Sequence, residues 1–162
     1  MNNIVLVGMP GVGKSTVGVI LAKVLGYNFI DSDLLIQEQE QRLLKDIIDK
    51  DELEGFIEIE NRVNAHIEAE KSVIATGGSV IYGEEAMSHL RDIGTVVYIQ
   101  LSLDILKDRL GDMHQRGVVL KEGQNLKDLY EERSPLYEKY ADIIINSDNK
   151  TVEELLTSIV HG

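Results

Sequence analysis

The sequence predicts an α/β fold, a parallel sheet covered by helices on both faces. Three observations carry that prediction. Apolar runs of strand length alternate with segments of helical period along the chain. The first such pair is joined by Gly8-Met9-Pro10-Gly11-Val12-Gly13-Lys14-Ser15-Thr16, a complete G-x-x-x-x-G-K-[ST] loop. The 162 residues, 43% hydrophobic and 27% charged, suffice for one domain with a proper core, whereas two domains would each be too small.

The loop has the context its chemistry requires. Ile4-Val5-Leu6-Val7 reads as the strand before it, and Val17, Ile20, Leu21, Val24 and Leu25 fall on one face of the helix after it. Glycines at 8, 11 and 13 let the backbone turn where a Cβ would clash, so successive N–H groups from Gly11 to Thr16 can point at phosphate oxygens beside the positive end of a helix. Lys14 is expected to bridge the β- and γ-phosphates of ATP, and Ser15 to offer its hydroxyl to Mg²⁺.

Gly26 closes that helix, and Asn28-Phe29-Ile30 is a short strand leading into Asp31-Ser32-Asp33. Two acids thus stand at a strand's carboxyl end near the phosphate loop, although either could simply cap the next helix. Residues 34–71 read as helices with a break near Lys50-Asp51, and Leu53, Phe56, Ile57, Val63 and Ile67 form a stripe that Glu60 interrupts. Val73-Ile74-Ala75 is a buried strand ending in Thr76-Gly77-Gly78-Ser79, where backbone can approach a ligand or merely turn.

A helix around Glu84 to Asp92 stops at Gly94, and Thr95-Val96-Val97-Tyr98-Ile99 is the clearest strand. Ser102 can cap the next helix, with Leu103, Leu106 and Leu110 inward. Residues 111–124 carry three glycines and Arg116 without a period, which predicts a mobile connection of the kind that closes over phosphates. The helical period returns with Leu126, Leu129 and Tyr130, and Arg133 shares their face, so a buried partner or a ligand is expected for it. Pro135 predicts a kink, or a restart with Ser134 as cap. Ile143-Ile144-Ile145 is the last strand, and Thr151-Val152-Glu153-Glu154 is a capping box opening a helix with Leu155, Leu156, Ile159 and Val160 inward.

A net charge of −12 argues against nucleic acid as a partner, since duplex binding needs a basic surface. It also gives no general attraction for a triphosphate, so Lys14, Arg109, Arg116 and Arg133 must act locally. There is no cysteine for a nucleophile or a thiolate metal site, and His66, His89, His114 and His161 lack metal-ligand spacing. No apolar run approaches a membrane span, and the first strand begins without a charged leader, so a soluble cytoplasmic protein is expected. Asn149-Lys150-Thr151-Val152 lacks the aspartate that reads guanine, which disfavours a GTPase switch.

Four segments together resemble the shikimate kinases: Ser15 to Gly18 as Ser-Thr-x-Gly, Phe29-Ile30-Asp31-Ser32-Asp33, Ala75-Thr76-Gly77-Gly78, and Glu132-Arg133-Ser134-Pro135-Leu136-Tyr137. The resemblance runs nearly end to end. It implies a three-layer P-loop kinase fold over 1–162, with a five-stranded parallel sheet, an acceptor-binding helical region at about 33–71 and a lid at about 111–124. It implies ATP, Mg²⁺ and transfer to the 3-hydroxyl of shikimate in aromatic amino-acid synthesis, by a protein expected to be monomeric. By position, Asp31 would lie in or near the magnesium shell, and Asp33 would bind the acceptor and orient or deprotonate its hydroxyl. Gly77 and Gly78 would line the acceptor pocket, Arg133 would pair with the carboxylate, Arg116 would reach the phosphates, and Arg109 would lie over the adenine.

The chain also departs from the family pattern. Phe-Arg-x-x-Glu is here Phe56-Ile57-Glu58-Ile59-Glu60, so Ile57 stands where an arginine clamps the acceptor carboxylate. A charge-assisted bond of this kind is worth about 1.5–3 kcal/mol, with Arg62 the nearest substitute on the same helix. The third glycine after Thr76 is Ser79, and the lid reads Arg116-Gly117-Val118-Val119 rather than Arg-Pro-Leu-Leu. These changes leave room for another hydroxylated acceptor, such as a sugar acid or polyol. A non-catalytic nucleotide-binding protein is a third reading, disfavoured by the intact loop, both aspartates and Arg116.

Overall fold

The computed structural model describes residues 3–110 and 123–161. Five strands, β1 (Asn3–Val7), β2 (Asn28–Asp31), β3 (Ser72–Ala75), β4 (Gly94–Gln100) and β5 (Ile143–Asn146), form one sheet in the order β2-β3-β1-β4-β5. Every pairing is parallel. Seven helices lie among the described residues: α1 (Lys14–Leu25), α2 (Ser32–Glu40), α3 (Leu44–Ala65), α4 (Glu84–Ile93), α5 (Leu103–Arg109), α6 (Leu126–Tyr140) and α7 (Val152–His161). The predicted five-stranded parallel α/β architecture is the one observed.

Strand order places the site. The chain leaves β1 for one side of the sheet and returns across it between β3 and β4, the two strands that flank β1. The loops after β1, β2 and β3 therefore meet at the carboxyl edge beside this crossing, where open parallel sheets bind ligands. Register helps: Leu6 pairs with Ala75 and Asp31 with Ala75, so all three loops start at the same height.

β1 and β4 are apolar throughout their middle because both faces are covered. Helix α1 lies on β1, β2 and β3 and touches α7; α4 and α6 lie on β4, and α3 packs along α4. One core joins the sheet to α1, α4, α6 and α7, while Ile36, Ile47, Phe56 and Val63 form a separate small core inside the α2–α3 region. That second core coincides with the predicted acceptor-binding segment, whose helices end at Ala65 rather than at residue 71. The break expected near Lys50-Asp51 falls at Glu52, which has φ 61° and ψ −177°. Arg42 braces it by donating to both oxygens of Asp51 at 3.0 and 2.8 Å.

Four local expectations are corrected, the simplest being Val160 of α7, expected inward but 45% exposed. The apolar stripe of α1 does not include Ile20 and Val24, which are 36% and 65% exposed; the buried line is Lys14, Val17, Gly18, Leu21 and Ala22. Gly18 decides this, because a Cβ there would come within 2.7 Å of the Phe29 ring, and only that face lets helix and sheet approach closely. Helix α6 does not restart at Pro135. Pro135 and Glu131 are both exposed, so the Glu131 carbonyl deprived of its N–H partner faces water, and Ser134 Oγ bonds the Tyr130 carbonyl at 2.7 Å instead of capping. Ser102 occupies the N-cap position of α5, but its side chain makes no cap bond; its N–H donates to Asp148 Oδ1 at 2.8 Å. The Thr151–Glu154 capping box is present as predicted.

Candidate active site

The phosphate loop spans Gly8 to Gly13, with φ of 150°, 88° and 93° at Gly8, Gly11 and Gly13. A Cβ at Gly8 would lie 2.6 Å from the Ile99 carbonyl, so glycine is required there for space as well as for conformation. Lys14 opens α1, and its Nζ donates to the Gly8 carbonyl at 2.6 Å and the Met9 carbonyl at 2.9 Å. The ammonium is buried, which pushes its pKa down to about 8 against the opposing pull of Asp33. The N–H groups of the first turn of α1 have no partner within the helix and face the loop's concavity.

Asp31 caps the next helix, one of the two roles its sequence position allowed, and also meets the phosphate loop. Its Oδ1 accepts the N–H of Asp33 at 3.0 Å and of Leu34 at 3.3 Å, capping α2, while its Oδ2 accepts the Ser15 hydroxyl at 3.1 Å. A hydroxyl and a carboxylate at the mouth of a phosphate loop suit Mg²⁺, which takes few protein ligands and keeps waters and phosphate oxygens for the rest. Among the described residues no cluster of three or more His, Cys, Asp or Glu ligands occurs.

Asp33 sits in the first turn of α2 and turns into a cleft of about 430 Å³ shared with the loops after β1 and β3. Burial and the nearby Asp31 carboxylate push its pKa up to about 6, with Lys14 opposing. Opposite it stand Gly77 and Gly78. A Cβ at Gly77 would lie 2.7 Å from Asp33 Oδ1 and 2.8 Å from Glu60 Oε2; one at Gly78 would lie 2.7 Å from Pro10 and 2.9 Å from Arg133 Nη1. The glycines thus make room for a cation and two carboxyl groups around one space.

Arg133, 1% exposed, reaches this cleft from α6 and lies 5.4 Å from the Tyr82 ring centroid. Tyr137, one turn further on, stacks on Tyr98 and donates its hydroxyl to the Gly78 carbonyl at 2.5 Å. The segment from Arg133 to Tyr137 is therefore one device: the arginine lines the cleft and the tyrosine fixes the loop opposite. Sequence reasoning used Tyr137 only as part of a pattern, and missed Pro10, Leu44 and Phe56 as cleft walls.

The remaining candidates divide. Ile57 is half-buried on α3 and does not line the cleft, whereas Phe56 and Glu60 do. Arg62 does not replace the missing arginine, because it donates to Glu40 Oε2 at 2.6 Å on α2. Arg109 lies on the far side of the phosphate loop. Its Nη1 donates to the Gly11 carbonyl at 3.2 Å, beside a second hollow of about 220 Å³ bordered by Gly13, Thr16, Ser147 and Lys150. Arg116 and nearly all of the expected lid lie outside the described residues.

Comparison with known proteins agrees with this geometry. The Shikimate kinase family model matches residues 10–162. A shikimate kinase from Sulfurihydrogenibium sp. is 40% identical over 98% of both chains. Among solved structures, a shikimate kinase from Acinetobacter baumannii in complex with shikimate superposes with a TM-score of 0.88 at 31% identity, covering 99% of this chain and 92% of the other. One from Aquifex aeolicus gives 0.82 at 31% identity, covering 98% and 94%. Phosphate loop, paired aspartates and arginine-walled cleft occur here on a chain matched along its whole length, and the protein belongs to the shikimate kinase family, an ATP-dependent small-molecule kinase.

Proposed function

We propose that the protein transfers the γ-phosphoryl group of ATP to the 3-hydroxyl of shikimate. The observation that carries this reading is Arg133, a buried arginine whose Nη1 meets Gly78 in the cleft that also holds Lys14 and Asp33. One cleft then offers a phosphate grip, a base and a carboxylate clamp, the three things a hydroxy-acid acceptor needs.

In this reading Lys14 leaves the carbonyls of Gly8 and Met9 for the β- and γ-phosphates, and the N–H groups from Gly11 to Thr16 hold the remaining phosphate oxygens. Asp33 accepts the proton of the acceptor hydroxyl as its oxygen bonds to the γ-phosphorus and the bridging oxygen departs with ADP. Arg133 pairs with the acceptor carboxylate, and Gly77 and Gly78 let the acceptor ring approach. Ser15 and Asp31 would hold Mg²⁺, which supplies charge neutralisation at the phosphates. Arg109 borders the hollow where the adenine would lie, and Arg116 supplies a further cation to the phosphates. The reading includes a monomer working in the cytoplasm; among the described residues no helix is long and apolar enough to cross a membrane.

The test is ADP release from Mg-ATP by the purified protein with and without shikimate, with Lys14→Ala as control for a contaminating kinase. Shikimate-dependent release absent from the control supports the acceptor. Nucleotide binding without a response to shikimate would remove it and favour a second reading, a sugar acid or polyol, for which Ile57 in place of an arginine is the supporting observation.

A further inference from the structure

Glu60 is 1% exposed and borders the cleft, yet it has no basic residue in the clamp position three places before it. Its Oε1 accepts the Ser79 hydroxyl at 2.5 Å. Its Oε2 is buried and no donor among the described residues reaches it. That oxygen and Asp33 Oδ1 both crowd the slot left open by the missing Gly77 side chain. Ionised carboxylate oxygens only accept hydrogen bonds, so two of them turned into one slot repel unless a proton lies between them.

We propose that Glu60 is held as a neutral carboxylic acid whose Oε2 proton is directed to Asp33 across the Gly77 slot, so that Glu60 positions the Asp33 carboxylate for the acceptor. Ser79 completes the arrangement by donating to Oε1, which leaves Oε2 as the protonated oxygen and fixes the direction of its O–H. The groups facing Glu60 are Ser79 from the loop after β3, Asp33 from α2, Lys14 from α1 and Arg133 from α6; on α4, His89 is engaged with the Ile67 carbonyl. Burial raises the Glu60 pKa to about 8, Asp33 adds to the rise, and Ser79, Arg133 and Lys14 oppose it. The serine that departs from the family's third glycine thus serves the arrangement of a carboxyl pair.

The positioning role rests on the reading of Asp33 given above, whereas the protonation of Glu60 does not, and two measurements separate them. Infrared spectroscopy of the protein labelled with ¹³C-glutamate at neutral pH should show a protonated-carboxyl carbonyl band that disappears in Glu60→Gln. Kinetically, Glu60→Gln keeps a donor on Asp33 and an acceptor for Ser79, so turnover should fall by no more than about threefold, against roughly 10- to 100-fold in Glu60→Ala, with KM for Mg-ATP unchanged in both. Ser79→Ala should lower turnover in the native background and have no effect in Glu60→Ala. An ionised Glu60 at neutral pH, or a folded Glu60→Gln as impaired as Glu60→Ala, overturns the proposal. Lack of shikimate turnover by the unaltered protein would instead remove the proposed acceptor and leave the infrared result to decide on Glu60.

Discussion

Ser15 Oγ donates to Asp31 Oδ2 at 3.1 Å, tying the first turn of the phosphate-loop helix to the end of β2. Because the other Asp31 oxygen caps α2, one carboxylate both stabilises a helix and holds the Ser15 hydroxyl, the group proposed to take Mg²⁺. The two roles can be separated by substitution. Asp31→Asn keeps a capping oxygen and loses the charge, so it should raise the Mg²⁺ concentration for half-maximal turnover at least about tenfold, with little change in the denaturation midpoint. Asp31→Ala should add a stability loss of about 1 kcal/mol. Magnesium titrations of ADP release and urea melts of both variants check this; equal stability losses would mean that charge, not the cap, holds α2.

Lys14 Nζ lies on the carbonyls of its own loop, which keeps a buried ammonium hydrogen-bonded. Lys14→Ala should reduce turnover by about a thousandfold or more, since positioned cations supply much of the catalysis in phosphoryl transfer. Turnover within tenfold of the unaltered protein, measured by ADP release, would mean that another cation serves the γ-phosphate.

The sheet, the phosphate loop and the paired aspartates were legible in the sequence because each is written in local terms: β-branched runs, glycines that must adopt positive φ, and acids at a strand end. The buried face of α1 was not, since Val17, Ile20, Leu21 and Val24 fit the helical period and only the contact between Gly18 and Phe29 selects among faces. Nor was the bond by which Tyr137 fixes the Gly78 loop of the cleft, since it joins residues 59 apart in the chain. Glu60 could be seen to interrupt an apolar stripe, but its partner Ser79 comes from a loop beyond the helix, so the pairing belongs to tertiary structure.

Ile57 packs against neither core cluster, so a longer side chain can be placed there at little cost in packing. It neighbours Phe56 on α3, whose side chain lines the cleft. Ile57→Arg should therefore lower KM for shikimate by about tenfold or more, the worth of one charge-assisted contact. Steady-state kinetics with Mg-ATP saturating decides this. An unchanged KM would show that an arginine at 57 does not reach the acceptor carboxylate.

Asp33 must be ionised to accept a proton, and burial beside Asp31 raises its pKa to about 6. The sign follows: kcat/KM for the acceptor should fall as pH drops through about 6, because the proton bound there occupies the base. Asp33→Asn should lower turnover at every pH and abolish that acid limb while leaving nucleotide affinity nearly unchanged. A variant with normal turnover would mean that Asp33 orients nothing essential and takes no proton.

Glu60 makes a distinct prediction for stability without nucleotide or acceptor. Its pKa rises from 4.5 to about 8 on folding, so below 4.5 both folded and unfolded chains hold the proton and the group is neutral in its effect. Between 4.5 and about 8 the folded chain keeps a proton that the unfolded chain has released, and stability falls with rising pH by about 1.4 kcal/mol per pH unit. Above 8 the buried charge forms in the folded state as well and the slope from this group ends. Lys14 acts oppositely but at higher pH: its folded pKa of about 8 lies below 10.5, so its contribution rises with pH only between those values. Urea melts from pH 5 to 8 should therefore show midpoints declining in the unaltered protein and a much flatter dependence in Glu60→Gln, which carries no titrating group at that position. Parallel slopes in the two proteins would mean that Glu60 ionises in the folded state near its ordinary value and that other carboxyls set the acid-side stability.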